Sequence, residues 1–267
     1  MPESGLAAGK YCLSPKRELL PRGSRNLASP ESWRHSVANT ECSLHQLAPY
    51  IGKLKSSIAR ELIHAYSSVD DLIADPFSGA GTVPLEALLA RRRVFAADVS
   101  PYGGLLTAAK TSPPKTLDAA LLEAERLLAA CSSHPPPDLR SVPSWVRCYF
   151  HPRTLKEVLS FALVCQREKS PFNLACLLGI LHHQRPGFLS YPSSHLVPYL
   201  RAKKFPRSQF PEMYAYRPLR PRLLAKITRA YKRAPESPKG AVQVVTASLE
   251  SLRLPTSLTA LSRARRT

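Results

Sequence analysis

Gly79, Gly81 and Asp98 are the residues whose types and spacing point most directly to chemistry. The two glycines lack a Cβ, so a turn built on them can adopt positive φ angles and lets a ligand approach the backbone closely. Asp98 lies 17 positions after Gly81. That is close to the spacing of roughly 20 at which an acid accepts the hydroxyls of a ribose. These residues therefore predict a site for a ligand that contains a nucleoside.

Apolar segments flank these residues in the order that an α/β unit requires. A short run at 72–74 precedes the glycines, a helical pattern follows at 83–90, and a second apolar run at 94–97 ends in the acid. This order brings the turn and the acid to the same edge of a parallel sheet. Pro84 stands where a dinucleotide fingerprint has its third glycine, and no lysine follows the second glycine as a P-loop requires. Both of those nucleotide motifs therefore fit poorly.

The segment 75–82 reads Asp-Pro-Phe-Ser-Gly-Ala-Gly-Thr. It resembles the S-adenosylmethionine loop of the amino-methylating DNA methyltransferases, which modify N6 of adenine or N4 of cytosine. The resemblance implies that this loop holds S-adenosylmethionine and that the acid ending the next strand binds its ribose. The cofactor residues it implies are Asp75, Pro76, Phe77, Ser78, Gly79, Gly81, Thr82 and Asp98. A glycine-rich turn in some other α/β protein is the alternative.

A segment before the loop and a tyrosine after the acid extend this resemblance. Members of the family often place a His- and Pro-bearing segment before the loop, where it closes over the methionine end of the cofactor. The corresponding positions are His45, Pro49, Tyr50 and Lys53, and an ordinary start of a helix explains them equally well. Tyr102 is the candidate for an aromatic ring that stacks on the adenine.

The composition is that of a basic protein with a sizeable core. The chain has 267 residues, of which 44% are hydrophobic, and a formal net charge of +19. This charge favours a polyanionic partner, although an arginine-rich genome explains it too. The six cysteines form no Cys-x-x-Cys pair, so we expect no metal site and reduced cytoplasmic thiols. No apolar run reaches membrane-spanning length and no export signal is visible, so no membrane partner is expected.

The most basic window runs over 185–233, where 12 Lys or Arg residues accompany a single acid, Glu212. Aromatic residues alternate with these cations, which suits phosphate contacts and base stacking. The window also resembles an insertion that some family members carry in place of a target-recognition segment. A helix over 219–232 would place three of the cations on one face. The predicted nucleic-acid contacts are Arg201, Lys203, Lys204, Arg207, Arg220, Arg222, Lys226 and Arg229; a solvated basic face is the alternative.

We predict an α/β fold, a partial Rossmann-like class I methyltransferase sheet with a large helical insertion between strands 2 and 3. Helices are expected at 117–131, 152–167, 171–183 and 219–232. The expected domains are a loose basic Pro/Ser-rich arm (1–43), an S-adenosylmethionine-binding α/β unit (44–115), the basic and aromatic insertion (116–240), and a third strand with a basic tail (241–267).

The family's catalytic loop is Asp, Asn or Ser followed by Pro-Pro and an aromatic residue, and the sequence contains no such tetrapeptide. Ser112-Pro113-Pro114 is followed by Lys115 and comes after the second helix, whereas the family's loop follows the fourth strand, so we interpret it as a turn. The catalytic residues are therefore unknown. Two accounts are open, a shortened chain of doubtful activity or a second chain that supplies the catalytic half.

The function predicted from the resemblance is transfer of a methyl group from S-adenosylmethionine to an exocyclic amine of adenine or cytosine in DNA. Two alternatives are open. One is a nucleic-acid-binding protein without catalysis that keeps a relic cofactor pocket. The other is an RNA methyltransferase, because glycine loops of that group look similar.

Overall fold

The computed structural model describes residues 40–181, 188–190, 205–234 and 240–252, with the single positions 33, 203 and 238. Within these ranges three parallel strands form one sheet in the order β1–β2–β3. The register pairs Asp75 with Ala96 and Asp98 with Thr246, so the strands end together at one edge of the sheet. The strands are Leu72–Asp75 (β1), Arg93–Asp98 (β2) and Val242–Thr246 (β3).

Helices account for most of the remaining described chain. Short 3₁₀ helices cover Ser43–Gln46, Cys131–Ser133, Leu139–Ser141, Pro211–Tyr214 and Leu249–Ser251. The α-helices are Ser56–Tyr66 (α1), Thr82–Leu89 (α2), Pro101–Thr111 (α3), Leu117–Ala130 (α4), Ser144–Arg147 (α5), Pro152–Arg167 (α6), Pro171–Leu178 (α7) and Leu219–Tyr231 (α8).

Local sequence explains where several of these helices begin. The Ser100 hydroxyl accepts the N–H of Gly103 at 3.4 Å ahead of α3, and the Thr116 hydroxyl accepts the N–H of Ala119 at 3.1 Å ahead of α4. Proline begins α3, α6 and α7. A proline is tolerated there because the first-turn N–H groups have no partner inside the helix.

The central strand β2 separates two apolar clusters. Val94, Phe95, Ala96 and Ala97 are all buried, the near-continuous apolar run expected of a parallel strand covered on both faces. Val94 and Ala96 share a small cluster with side chains of α1 and α2. A larger cluster joins α3 and α4 to α6, α7 and α8. The later helices α4, α6, α7 and α8 thus pack on the same core as α3, the helix that directly follows β2.

The predicted α/β fold with a partial parallel sheet is confirmed, and α4 to α8 follow β2 and precede β3 in the chain. One helix is shorter than predicted, because α7 ends at Leu178 rather than at residue 183. Beyond α7 the carbonyls of Ile180 and Leu181 accept the N–H groups of Leu189 and Ser190, each at 2.9 Å. These two carbonyls bond to a later segment of the chain instead of continuing the helix, and the spacing of apolar residues cannot predict that contact. Across the described ranges, no helix combines the length and apolarity needed to cross a bilayer.

Candidate functional site

The glycine loop 75–82 connects β1 to α2 through a tight, internally bonded turn. Asp75 Oδ1 accepts the N–H of Phe77 at 3.2 Å, and Gly81 N–H donates to the carbonyl of Ser78 at 2.7 Å. Gly79 and Gly81 have φ angles of 47° and 71°. A Cβ on Gly81 would also lie 2.8 Å from Thr107 Cα, so a side chain is excluded both by the backbone angle and by space.

Asp98 binds this loop directly. It is the last residue of β2, and its Oδ2 accepts the N–H of Gly79 at 2.7 Å while Oδ1 accepts the N–H of Ser100 at 2.8 Å. Gly103 makes the close packing possible, since a Cβ there would lie 2.9 Å from Asp98 Cγ. Gly79 and Asp98 are 19 residues apart in sequence, yet their hydrogen bond joins the loop and the acid into one structural unit.

A cavity of about 420 Å³ opens beside this unit, within the size range of small-molecule sites. Pro76, Gly81 and Tyr102, which the sequence assigned to the cofactor, are not part of its lining. Gly52, Leu54, Ala80 and Val83 are part of it although sequence reasoning did not single them out. The lining consists of Tyr50, Gly52, Lys53, Leu54, Asp75, Phe77, Ser78, Gly79, Ala80, Thr82, Val83 and Asp98.

Two features of the lining favour a polar ligand. The Thr82 hydroxyl is in a residue only 4% exposed and has no hydrogen-bond partner within the described ranges. A buried hydroxyl without a partner is costly, so a ligand that bonds to it would recover that free energy. Burial, together with the nearby charge of Asp98, raises the pKa of Asp75. The described residues include no group of three or more metal-ligating side chains.

Tyr50 and Tyr102 stack on each other, with ring centroids 5.9 Å apart and an interplanar angle of 22°. Tyr102 Oη donates to the carbonyl of Pro49 at 2.6 Å, which ties the segment before α1 to α3. Tyr50 packs directly on the loop, because a Cβ on Gly79 would lie 3.2 Å from its hydroxyl. Tyr50 therefore borders the cavity, while Tyr102 supports Tyr50 from behind.

His45 anchors the same segment to α2. Its Nε2 lies 2.7 Å from Glu86 Oε1, and Arg60 Nε donates to Glu86 Oε2 at 2.9 Å. Burial lowers the pKa of His45, so the neutral ring donates from Nε2. Burial opposes ionisation of Glu86, but the hydrogen bonds from His45 and Arg60 prevail and lower its pKa. Lys53 Nζ donates to the His45 carbonyl at 2.9 Å, which links this buried cluster to the cavity wall.

Comparison with known families agrees with this geometry. Residues 46–125 match the model of the family UPF0020, described as an RMKL-like methyltransferase domain. The chain contains a methyltransferase domain. The matched range includes the glycine loop and Asp98, which line the cavity, and α3, which packs behind them. No curated protein and no solved structure matches the chain.

Outside the matched methyltransferase range, the predicted nucleic-acid residues fall into different environments. Arg201 and Lys204 lie outside the described residues. Lys203, Arg207 and Arg229 are exposed, and the Arg207 guanidinium lies 6.0 Å from the ring centroid of Tyr214. Exposure leaves these three side chains able to meet phosphate groups.

Arg220, Arg222 and Lys226 are engaged within the protein. Arg220 forms a bidentate pair with Glu125 at 2.6 and 2.9 Å. Arg222 Nη1 donates to the Pro218 carbonyl at 3.1 Å, and Lys226 Nζ donates to the Gln46 carbonyl at 2.6 Å. Burial also lowers the pKa of Lys226. Arg222 and Lys226 are therefore half-buried and engaged inside the protein, and their contact with nucleic acid stays a prediction.

The spacing of the buried side chains along α8 explains why Arg222 and Lys226 are half-buried. Its buried side chains Leu219, Leu223, Ile227 and Ala230 recur every three or four residues. Residues 222, 226 and 229 stand one position before three of these, so their part of the helix surface adjoins the buried stripe. Of residues 222, 226 and 229, Arg229 alone is exposed, and it lies near the end of the helix.

Proposed function

We propose that the methyltransferase domain binds S-adenosylmethionine in the 420 Å³ cavity and serves in methylating an exocyclic amine of adenine or cytosine in DNA. The hydrogen bond from Gly79 N–H to Asp98 Oδ2, at 2.7 Å on the cavity wall, carries this proposal. It joins the loop and the acid into one surface. Each Asp98 oxygen accepts one described hydrogen bond and retains a lone pair that a ribose hydroxyl can use.

The remaining lining suits the rest of such a ligand. The amino end of α2 offers N–H groups and the positive end of a helix dipole to a carboxylate. The unpartnered Thr82 hydroxyl lies in the first residue of that helix. Tyr50, stacked against Tyr102, closes the side of the cavity above Gly79. The cofactor supplies a methyl group on a sulfonium, and these residues orient it toward the attacking amine.

In the transfer, a nitrogen–carbon bond forms as the carbon–sulfur bond breaks. The sulfur leaves as the neutral thioether of S-adenosylhomocysteine, and the amine nitrogen loses a proton to solvent. None of the lining residues is assigned the role of aligning the amine, so no catalytic residue is named.

We also propose that another polypeptide supplies the acceptor side of the site along β1. Within the described ranges β1 pairs with β2 alone, which leaves its outer edge open. Phe77, which lines the cavity, and Val99, which follows Asp98, are each 72% exposed, and Ile51 is fully exposed. A strand added to β1, followed by a loop over these apolar side chains, would cover both features.

A DNA partner is supported by the formal net charge of +19 and by the exposed cations Lys203, Arg207 and Arg229. RNA is the second candidate, because the matched family also includes RNA methyltransferases. Both polymers present the same phosphate charge, so the charge does not distinguish them.

Calorimetric binding of S-adenosylmethionine tests the cofactor proposal. We expect saturable binding to the wild-type chain and a loss of about tenfold or more in affinity for Asp98→Ala, because ribose contacts and the Gly79 anchor are removed together. Asp118→Ala is the matched control, since Asp118 is an exposed acid in the first turn of α4. Equal affinities for both variants would contradict the assignment of Asp98.

Methyl transfer from labelled cofactor to duplex DNA or to structured RNA tests the substrate. Incorporation into DNA that structured RNA does not compete away supports the proposal, and the reverse result establishes the RNA alternative. Cofactor binding without incorporation into either polymer, restored by a co-purifying polypeptide, supports the divided site. Incorporation by the chain alone would contradict it.

A further inference from the structure

Lys110 is a fully buried cation at the end of α3 that the proposed cofactor contacts do not use. Its side chain has no exposure to solvent, and its Nζ donates a hydrogen bond to the carbonyl of Ala80 in the glycine loop. No carboxylate pairs with Nζ among the residues that the structure describes. Burial lowers the pKa of Lys110 to about 7.

Packing alone does not account for an amine in this place. The preceding residues Leu106 and Ala109 belong to the large apolar cluster and are also without exposure. Removing an ammonium group from water is expensive unless it gains a compensating interaction. A methionine would fill nearly the same volume without that cost. The interaction with Ala80 is therefore the feature that requires explanation.

The Ala80 carbonyl belongs to the peptide that controls the shape of the loop. In a planar trans peptide, the carbonyl of Ala80 and the N–H of Gly81 point in opposite directions. The Gly81 N–H donates to the Ser78 carbonyl at 2.7 Å, and Lys110 binds the opposite end of the same peptide. The two hydrogen bonds together fix the plane of this peptide and keep the turn closed.

Lys110 completes a stripe on α3 that supports the loop from behind. Gly103, Thr107 and Lys110 follow one another at spacings of four and three, which places them on one face of the helix. Gly103 packs against Asp98, and Thr107 Oγ1 donates to Ser78 Oγ at 3.2 Å. Successive turns of α3 therefore contact the acid, Ser78 in the middle of the loop and the Ala80–Gly81 peptide.

We infer that Lys110 is a positioning residue that holds the Ala80–Gly81 peptide in the orientation that binds ligand. The identity of that ligand rests on the proposed function, whereas the restraint on the loop does not. Lys110 touches the loop from the protein side, and Ala80 also lines the cavity. The titratable groups whose charge acts on its amine are Lys53, Glu41, Cys42 and Lys226, and the amine in turn acts on His45.

Amide hydrogen exchange in the protein without cofactor tests the restraint directly. We expect Lys110→Met to accelerate exchange at Gly79 and Gly81 by about tenfold, since one end of the peptide is released. Thr111→Val is the control, because it removes a hydroxyl on the next residue that bonds within α3, to the Thr107 carbonyl at 2.8 Å. It should leave exchange in the loop unchanged even where it lowers the melting temperature.

Lys110→Gln provides the conservative comparison, because its shorter side chain keeps an N–H donor. If the amides of Gly79 and Gly81 in Lys110→Gln exchange at a rate between the wild-type rate and the Lys110→Met rate, the inference is supported. Wild-type exchange at Gly79 and Gly81 in Lys110→Met would overturn it. If Lys110→Met and Lys110→Gln both fail to fold while Thr111→Val folds, Lys110 is a general core residue and the inference is wrong.

Binding of S-adenosylhomocysteine gives a second, separable readout. The affinity of Lys110→Met should fall about tenfold relative to Thr111→Val. If the wild type binds no cofactor, the proposed function fails, and the exchange measurement still decides the role of Lys110. Fast loop exchange with unchanged affinity would show that the restraint does not serve ligand binding and would overturn that part of the inference.

Discussion

The sequence predicts a functional role for both the glycine loop 75–82 and the basic helix α8. The two regions differ in how many of the predicted residues are engaged inside the protein. The loop keeps its predicted neighbours, because Asp98 bonds to Gly79 and the two border one cavity. On α8, Arg220 and Lys226 are used for contacts inside the protein. The loop depends on backbone geometry that a short segment encodes. A cation depends on which partner the fold brings to it.

The comparison is tested most strongly at Gly81. Gly81→Ala is expected to lower the free energy of unfolding by about 3 kcal/mol, because its φ of 71° is unfavourable for alanine and a Cβ would lie 2.8 Å from Thr107 Cα. Gly52→Ala is the matched control, with a φ of 79° but nothing within 4 Å of the added Cβ. It should cost roughly 1 kcal/mol. Chemical denaturation measures the unfolding free energy of both variants. Equal losses would show that the close approach to Thr107 contributes nothing to the cost at Gly81.

Lys110 yields a prediction about pH. Its pKa is about 7 in the folded protein against an ordinary value of 10.5 for lysine, so between those values the unfolded chain binds more protons than the folded one. Stability therefore rises with pH across this window, and the cost of charging Lys110 in the core is felt in full below it. From pH 7 to pH 9 the contribution is on the order of 2 kcal/mol.

The measurement is the unfolding free energy of wild type minus that of Lys110→Met at several pH values. Cysteine ionisation in the unfolded chain also changes stability near pH 9, but it is common to both proteins and cancels in the difference. A difference that stays flat from pH 7 to pH 9 would show that Lys110 keeps an ordinary pKa.

The smallest expected effects are on nucleic-acid binding. Arg229→Ala and Arg207→Ala should each lower duplex DNA affinity two- to threefold and reduce the salt slope by about one ion. Arg220→Ala should change the slope less, because its guanidinium is already paired with Glu125. Filter binding over a salt series measures the slopes. An equal reduction of the salt slope for Arg220→Ala and Arg229→Ala would mean that the Arg220–Glu125 pair opens when DNA binds. The difference between the glycine loop and α8 would then be smaller.

Much of the cofactor side was predictable because its determinants are local. The strand, turn, helix, strand and acid pattern predicted the order of β1, the loop, α2 and β2, and the fold is confirmed. Pro101 and the Ser100 cap stand at the beginning of α3, and the Thr116 cap stands at the beginning of α4, so these boundaries also have local determinants. The cavity also includes Gly52 and Leu54, which carry no motif; the one signal was a glycine, at position 52, in a segment leading into a helix.

The sequence by itself determined where the proposed nucleoside ligand would meet the chain, because glycines with positive φ and an acid ending a strand restrict the backbone within a few residues. Only the tertiary structure decided which side chains are available to that ligand. Tyr102 stacks on Tyr50, Lys226 bonds to a carbonyl 180 residues away, and Lys110 reaches Ala80 from the core. Each of these depends on a partner distant in sequence, and a buried polar group takes whichever partner the packing supplies.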